Sequence, residues 1–299
     1  MLTIFTPTYN RAHTLPRLYE SLKRQTSRDF EWLVIDDGSN DDTETLFNQW
    51  LKEAPTFNIR YLKVENRGKN RALNLGIKHA AGDYFMILDS DDLLTDDAVE
   101  FSNDKIKQIE YNDDFIGISG KRADINTGKP IGLKGDSYAE DGYFDCSNLE
   151  RYKYGLERDM AEVFITDKLR KYEFKVWPGE KFTPEEVVWN QMALEGYKLR
   201  WYNKITYLCE YQKGGLSDSS WSLLARNPMG YAMMWNHRLL YLKGLRNKMN
   251  ATIQYAICCI LAKEWRELFS CNYRLMNILL LPVSAAVSIR RKRQIAKYQ

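Results

Sequence analysis

The residues best suited to bind a cation form a short acidic cluster, Asp89-Ser90-Asp91-Asp92. Three carboxylates within four residues repel one another unless a cation compensates their charge. Mg²⁺ and Mn²⁺ prefer carboxylate and phosphate oxygens as ligands, so this cluster predicts a divalent metal site. The plainer alternative is an acidic turn in which Asp92 or Thr95 caps the helix that follows.

Two further clusters have residue types that suit a nucleotide. Residues 36–39, Asp-Asp-Gly-Ser, offer a carboxylate that can accept a hydrogen bond from the ring N–H of a base such as uracil. Gly68 and Lys69 open a predicted helix, where free backbone N–H groups and a lysine suit a diphosphate. Each cluster also has a structural alternative, since the first favours turns and helix starts and the second could be a solvated basic surface.

Apolar runs alternate with helical patterns over the first 125 residues. The predicted strands are 2–5, 32–35, 59–64, 84–88 and 115–119, and the predicted helices between them are 14–24, 43–51, 69–80 and 97–109. This alternation predicts an α/β fold with a mostly parallel sheet and helices on both faces. Ligands bind such sheets outside the carboxyl ends of the strands. Because the polar clusters Thr6–Arg11, Asp36–Asp42 and Asp89–Asp92 directly follow strands, we expect them along one edge.

The order of these motifs resembles family 2 glycosyltransferases of the GT-A (Rossmann-like) fold, of the bacterial surface-polysaccharide type. The motifs are Thr6-Pro7-Thr8-Tyr9-Asn10-Arg11, Asp36-Asp37-Gly38-Ser39, Gly68-Lys69 with Ala72-Leu73-Asn74, Ala81-Gly82-Asp83-Tyr84, and Leu88-Asp89-Ser90-Asp91-Asp92. The match covers about the first 100 residues. It implies an enzyme that moves one sugar from a nucleotide-diphosphate donor, with UDP favoured, to an acceptor hydroxyl.

The resemblance also implies roles for individual residues. The implied donor-binding residues are Thr6, Pro7, Tyr9, Arg11, Asp37, Lys69, Asp89 and Ser90. Thr6, Pro7 and Tyr9 would line the base and ribose pocket. Asp37 would meet the base, and Lys69 would lie near the diphosphate.

The same resemblance implies that the acidic cluster is the metal-binding DxD element. Asp89 and Asp91 would bind Mn²⁺ or Mg²⁺, with Asp91 as the direct ligand. Asp92 is the alternative for that role, or a residue on the acceptor side. The resemblance therefore implies a metal-dependent enzyme.

A catalytic base is expected in the segment 182–190, because the family has an acidic pair at the start of a downstream helix. Glu186 is the predicted base and Glu185 the alternative, although the family usually has Asp at the second position. The pair also has a structural alternative as acidic residues in the first turn of a helix, with Thr183 as N-cap and Pro184 at the first helical position. With such a base the acceptor hydroxyl attacks the anomeric carbon in one displacement, with inversion.

The sequence favours the transfer of a single sugar over polymerisation. The Q-x-x-R-W signature of processive polysaccharide synthases is incomplete, because Tyr197 stands where Gln is expected before Arg200-Trp201. The transmembrane helices of those synthases are missing too. Residues 210–217 resemble a loop that often closes the donor site in related bacterial enzymes.

The composition of the 299-residue chain, 44% hydrophobic and 28% charged, is typical of a globular protein with a sizeable core. The cysteine count is five, an odd number without metal-ligand spacing, which predicts a reducing compartment and no zinc site. We expect no signal peptide and no ordinary transmembrane helix, since no stretch reaches 18 apolar residues. These features predict a cytoplasmic protein.

Charge divides the chain into two expected parts. Residues 1–227, the predicted GT-A domain, carry 31 Lys/Arg and 38 acids; residues 228–299, the predicted basic helical extension, carry 12 Lys/Arg and two acids. Within the domain we expect a nucleotide-binding half at 1–120 and an acceptor-side half at 121–227. We expect a saccharide or lipid-linked saccharide as acceptor.

The extension is predicted to form helices at 229–245, 250–268 and 273–289. Residues 275–289 are apolar and are followed at once by Arg290-Arg291-Lys292-Arg293. An apolar helix with a basic end suits an anionic membrane surface, here the inner face of the plasma membrane. The alternatives are a helix packed on the main domain or a homodimer contact. No nucleic-acid-reading motif is present, so no nucleic-acid partner is expected.

Two other functions use related features. A sugar nucleotidyltransferase would have a glycine-rich basic loop after the first strand, whereas residues 6–11 contain no glycine. A non-catalytic membrane-associated scaffold of the same fold would not need Asp89, Asp91 and the Glu185/Glu186 pair.

Overall fold

A computed structural model describes residues 1–132, 142–157, 159–210 and 220–296. The chain forms two compact units. Unit 1 comprises Met1–Glu173 and Asn190–Glu210, and unit 2 comprises Phe174–Trp189 and Tyr211–Gln299. The domain boundary expected at residue 227 stays a prediction. Of the loop expected at 210–217, all but Glu210 lies outside the described residues.

Unit 1 contains a sheet that has nine strands in the described part of the chain. The strands are β1 (Leu2–Thr8), β2 (Phe30–Asp36), β3 (Asn58–Lys63), β4 (Tyr84–Ile87), β5 (Leu93–Leu94), β6 (Phe115–Asp124), β7 (Tyr143–Cys146), β8 (Ala161–Ile165) and β9 (Lys198–Cys209). Their order is β3-β2-β1-β4-β8-β6-β9-β5, and β7 also pairs with β9.

The predicted α/β class is confirmed, but the sheet is more mixed than expected. Strands β1 to β4 pair in parallel, as do β6 and β9. The pairs β4–β8, β6–β8, β5–β9 and β7–β9 are antiparallel. The prediction rested on the regular strand–helix alternation before residue 125, and each antiparallel pair includes at least one strand that this pattern did not predict.

The helices follow the strands in the order that the sequence predicted for the first half of the chain. They are α1 (Leu15–Lys23), α2 (Thr43–Lys52), α3 (Lys69–His79), α4 (Ala98–Ile106), α5 (Thr166–Leu169), α6 (Glu186–Leu194), α7 (Ser220–Arg226), α8 (Pro228–Arg238), α9 (Leu245–Ala262) and α10 (Arg274–Ile295). Short 3₁₀ helices lie at Arg151–Tyr154 and Trp265–Phe269.

Helices cover both faces of the parallel part of the sheet, as predicted. All seven residues of β1 and of β2 are buried, which agrees with the short, mostly apolar runs at 2–5 and 32–35. Leu2 and Ile4 share a core with buried residues of α1, α2 and α4. On the other face α3 approaches β1 so closely that a Cβ on Gly76 would lie 2.2 Å from the Phe5 ring.

The C-terminal helices of unit 2 exist as predicted, but their ends differ. The helix expected at 229–245 ends at Arg238, and Gly244, with φ of +82°, precedes α9. Helix α9 begins at Leu245 rather than 250 and ends before Lys263, which adopts a left-handed conformation. Within the described residues, no helix is long and apolar enough to cross a bilayer.

Candidate active site

Backbone and side-chain hydrogen bonds join the loops that follow β1 and β2. The amide of Asp37 donates to Thr8 O at 2.8 Å. The Asn10 amide donates to Ser39 Oγ, and the Asn40 amide donates to Asn10 Oδ1, each at 2.8 Å. Asn10 has φ of +54°, a conformation that Asn tolerates better than most residues. These bonds hold the polar segments 6–11 and 36–42 together at the carboxyl ends of β1 and β2.

The two adjacent aspartates at the end of β2 have different environments. Asp36 is fully buried and accepts a hydrogen bond of 2.5 Å from Tyr61. Burial and this carboxylate raise the pKa of Tyr61. The Asp37 carboxylate accepts the amides of Arg67 and Gly68 at 2.7 and 2.8 Å. Asp36 is therefore structural, while Asp37 ties its loop to the start of α3, where the third cluster begins.

Three cationic side chains converge on the acidic loop between β4 and β5. Lys69 Nζ lies 2.8 Å from Asp89 Oδ1. Arg11 Nη2 lies 3.6 Å from Asp91 Oδ2, and Arg17 Nη2 donates to the Asp91 carbonyl at 2.7 Å. Both carboxylates remain partly exposed. The structure thus brings together the predicted diphosphate lysine and both predicted metal ligands.

The acidic loop has two carboxyl groups with opposite pKa shifts. Burial would raise the pKa of Asp89, but Lys69 and Arg122 outweigh it and hold this pKa below its usual value. Burial and the charge of Asp89 raise the pKa of Asp92 to about 7. The Tyr207 hydroxyl donates to Asp92 at 2.8 Å and accepts the Asp89 amide at 3.0 Å. Neighbouring charges therefore keep Asp89 anionic, the form that a metal ligand requires.

The donor atoms of this loop fit a hard divalent cation. Among the described residues, no three His, Cys, Asp or Glu side chains are arranged to hold a metal by themselves. Mg²⁺, however, is commonly bound through one or two carboxylates together with substrate phosphates. Asp89 and Asp91 offer two carboxylates beside Lys69 and Arg11, the cations that would meet those phosphates. The site therefore fits a cation that binds together with a diphosphate.

The other predicted donor-binding residues differ in accessibility. Thr6 and Pro7 are buried within β1, and Thr6 Oγ1 accepts a hydrogen bond from Trp32 Nε1 at 3.0 Å. Ser90 is also buried, whereas Tyr9 is 46% exposed. The Tyr9 ring is therefore the most accessible side chain of this group, and the roles of all four residues stay predictions.

The predicted base residues lie in unit 2. Helix α6 begins at Glu186, not at Pro184 as the sequence suggested. Both oxygens of Glu186 accept hydrogen bonds from Arg238 of α8, each at 2.6 Å. This bidentate pair fixes the orientation of the Glu186 carboxylate. The choice between Glu186 and Glu185 as base stays a prediction.

Comparison with known proteins identifies the family. Residues 3–147 match the model of Glycosyl transferase family 2. This part of the chain belongs to glycosyltransferase family 2. Glycosyltransferase GlyA of Streptococcus pneumoniae is 28% identical over 72% of the chain and 31% of its own length. The chain spans between 17% and 31% of the length of the first curated relatives it matches.

Solved structures of glycosyltransferases have the same fold as this chain. S. aureus TarS 1-349 in complex with UDP-GlcNAc aligns with a TM-score of 0.63 over 97% of the chain and 81% of TarS, at 16% identity. The mannosyltransferase PcManGT of Pyrobaculum calidifontis, in complex with GDP-Man and Mn²⁺, aligns with a TM-score of 0.56 over 99% and 83%, also at 16% identity. The predicted GT-A fold is confirmed.

Several residues that contact the predicted site residues were not found from the sequence. Tyr207 bonds the acidic loop from 118 residues away, and Arg238 belongs to the C-terminal helices. Arg17 lies in helix α1, where the sequence does not distinguish it from an ordinary surface arginine. Of these residues, only Arg122 had a usable signal in the sequence, because it is a charged residue in the largely buried strand β6. In the structure its guanidinium lies 4.2 Å from the centre of the Tyr207 ring.

Proposed function

We propose that the chain transfers one sugar from a nucleotide-diphosphate donor to an acceptor hydroxyl, with inversion at the anomeric carbon. The observation that carries this proposal is the convergence of three strand-end loops at one edge of the sheet. Together they supply Asp37 near the start of α3, Lys69 at that helix start, and Asp89 and Asp91 in the acidic loop. These groups match a base N–H, a diphosphate and a divalent cation.

In this proposal each of the predicted site residues discussed next, all in unit 1, has one role. Asp37 meets the base, as its position between the loops supports. Lys69 and Arg11 exchange their carboxylate partners for oxygens of the diphosphate and compensate its charge. Asp91 and Asp89 hold Mn²⁺ or Mg²⁺, which when bound stabilises the charge of the departing diphosphate.

Glu186 is the proposed general base of the transfer. It takes the proton of the acceptor hydroxyl while that oxygen attacks the anomeric carbon, so no covalent enzyme intermediate is needed. Arg238 orients the carboxylate through the bidentate pair. Glu185 remains the alternative base, since both glutamates lie at the start of α6.

The substrates and location are the least specific parts of the proposal. We propose a UDP-sugar donor and a saccharide or lipid-linked saccharide acceptor in bacterial polysaccharide or glycolipid assembly. The TarS complex with UDP-GlcNAc supports a UDP donor. The PcManGT complex supports a Mn²⁺ requirement and makes GDP-mannose the second donor to test. We place the enzyme in the cytoplasm, on the inner face of the plasma membrane.

A product assay separates this function from the alternatives. Purified protein with Mn²⁺ and an acceptor mixture is supplied with UDP-, GDP- and dTDP-sugars, and release of nucleoside diphosphate is measured. We expect release from one donor, loss in EDTA, and an inverted anomeric configuration in the NMR spectrum of the product. Pyrophosphate released from a nucleoside triphosphate and a sugar phosphate would instead identify a nucleotidyltransferase. A retained configuration would contradict the mechanism.

A further inference from the structure

Over residues 275–289 of helix α10, the fully buried side chains are polar and the most exposed side chains are apolar. Its buried residues include Asn277, Ser284 and Ser288. Its exposed residues include Leu275 and Leu279, each 79% exposed. A helix on a water-facing surface normally has the reverse arrangement. The outer face of α10 is therefore matched to a less polar surrounding than water.

The two buried serine hydroxyls of α10 are satisfied within the helix, so its inner face can pack on the rest of unit 2. Ser284 Oγ donates to the Leu280 carbonyl at 3.0 Å, and Ser288 Oγ donates to the Ala285 carbonyl at 2.7 Å. Small residues four positions apart permit close approach of helices, as in membrane proteins. The inner face of α10 is thus packed within unit 2, and the outer face has no partner among the residues that the structure describes.

The outer face is a continuous apolar stripe, here called the outer stripe. It consists of Leu275, Ile278, Leu279, Val283, Val287 and Ile289, all of them exposed. Residues 275–289 contain no charged side chain. At 1.5 Å per residue they extend about 22 Å, which is shorter than the ~30 Å hydrocarbon core of a bilayer. The stripe can enter a membrane surface lengthwise but cannot span it.

Cations surround both ends of the outer stripe. Arg274 precedes it, and Arg290, Arg291, Lys292 and Arg293 follow it, with no acidic residue in α10. Residues 228–299 as a whole carry 12 Lys/Arg and two acids. This charge complements anionic lipid headgroups. The same charge opposes pairing of the stripe with a second copy, because two strongly basic surfaces would repel each other.

We propose that α10 lies in the plane of an anionic lipid surface with its outer stripe inserted among the acyl chains. Phe269 is exposed and its ring centre lies 5.6 Å from the Arg274 guanidinium carbon at the N-terminal end of the helix, and phenylalanine is common on the apolar side of helices that lie in a membrane surface. The proposal adds a specific face and orientation to the membrane location proposed above and rests on it. It makes α10 the contact through which the enzyme meets lipid-linked acceptors.

Vesicle binding of the full chain tests the proposal. Vesicles of phosphatidylcholine with phosphatidylglycerol are compared with phosphatidylcholine alone in a co-sedimentation assay. The paired substitution Leu275→Gln with Leu279→Gln should weaken binding to anionic vesicles by about tenfold per leucine. Arg290→Gln with Arg293→Gln should weaken it by about fivefold per arginine and reduce its salt dependence.

Matched controls and independent readouts separate the outcomes. Leu51→Gln with Leu62→Gln alters two exposed leucines of unit 1 and should leave vesicle binding unchanged. Equal binding by the α10 variants, or no preference for anionic vesicles, would overturn the proposal. So would a dimer in sedimentation velocity that the α10 leucine variant dissociates. Nucleotide binding without lipid separates the two ideas: if it persists while vesicle binding fails, the α10 proposal alone is wrong.

Discussion

Asp91 offers the most direct test of the proposed metal site at the scale of a single residue. Asp91→Asn keeps the shape of the side chain and the carbonyl contact to Arg17 but removes the negative charge that a cation needs. We expect metal-dependent nucleotide binding to weaken more than roughly tenfold, with little change in unliganded stability. Titration calorimetry with and without Mn²⁺ measures this. Asp96→Asn, at an exposed aspartate paired with Arg24, is the control and should bind normally.

The assignment of the base depends on which of two adjacent glutamates the reaction needs. Glu186→Gln should lower kcat by roughly 10²–10⁴-fold while donor affinity stays unchanged, because only proton transfer is lost. Glu185→Gln should have a much smaller effect. Steady-state kinetics on both variants decides the question. A large loss of kcat only in Glu185→Gln would make Glu185 the base.

The bidentate pair between Arg238 and Glu186 predicts a positioning role for the arginine. Arg238→Lys retains the charge but cannot reproduce two parallel hydrogen bonds, so we expect kcat to fall by roughly ten- to a hundredfold with KM for the donor unchanged. Arg200→Lys is a matched control, because Arg200 makes a similar bidentate pair with Asp145 in unit 1. Equal losses in both variants would show that only general stability was affected.

Local motifs made some residues of the site predictable, and tertiary contacts hid others. Lys69, Asp89 and Asp91 follow strand ends or open a helix, so their proximity follows from a parallel sheet. Tyr207 and Arg238 reach their partners through contacts between elements distant in sequence. Nothing in their immediate neighbours distinguishes them from ordinary core or surface residues.

At the scale of elements, five of the first six strands were predictable from short apolar runs, whereas β5 and the strands after β6 were not. Strands β1 and β2 are buried throughout, and the mostly apolar runs at 2–5 and 32–35 identified them. Strand β9 mixes buried and exposed residues over 12 positions, and β5 has two residues. Their pairing depends on partners elsewhere in the sheet, which periodicity does not reveal.

The packing of α3 on β1 gives a prediction for the element that presents Lys69. Alanine normally favours a helix over glycine by about 1 kcal/mol, but a Cβ on Gly76 would lie 2.2 Å from the Phe5 ring. We therefore expect Gly76→Ala to lower the free energy of unfolding by about 1–3 kcal/mol. Adding Phe5→Leu should recover part of this loss, as urea unfolding would measure. A stabilised Gly76→Ala variant would contradict the close packing.

At the scale of the whole molecule, the charge distribution of the sequence divides the chain differently from the two compact units, and the boundary expected at residue 227 stays a prediction. The basic C-terminal helices and the acidic first part were visible in the sequence. The structural units instead assign Phe174–Trp189 to the C-terminal unit and Asn190–Glu210 to the sheet. The charge distribution could not show which unit each of these two segments joins, because that assignment arises from packing.

The central claim is a donor site in unit 1 that requires a divalent cation. The most direct measurement is a thermal-shift screen of UDP, GDP, dTDP and CMP, each with Mn²⁺ and with EDTA, on the native chain and on Asp91→Asn. Binding to the folded state raises Tm by mass action. We predict a rise with one nucleoside diphosphate, UDP first, that disappears in EDTA and in the variant. No rise with any nucleotide would contradict the donor site and leave the three clusters as turns and helix caps.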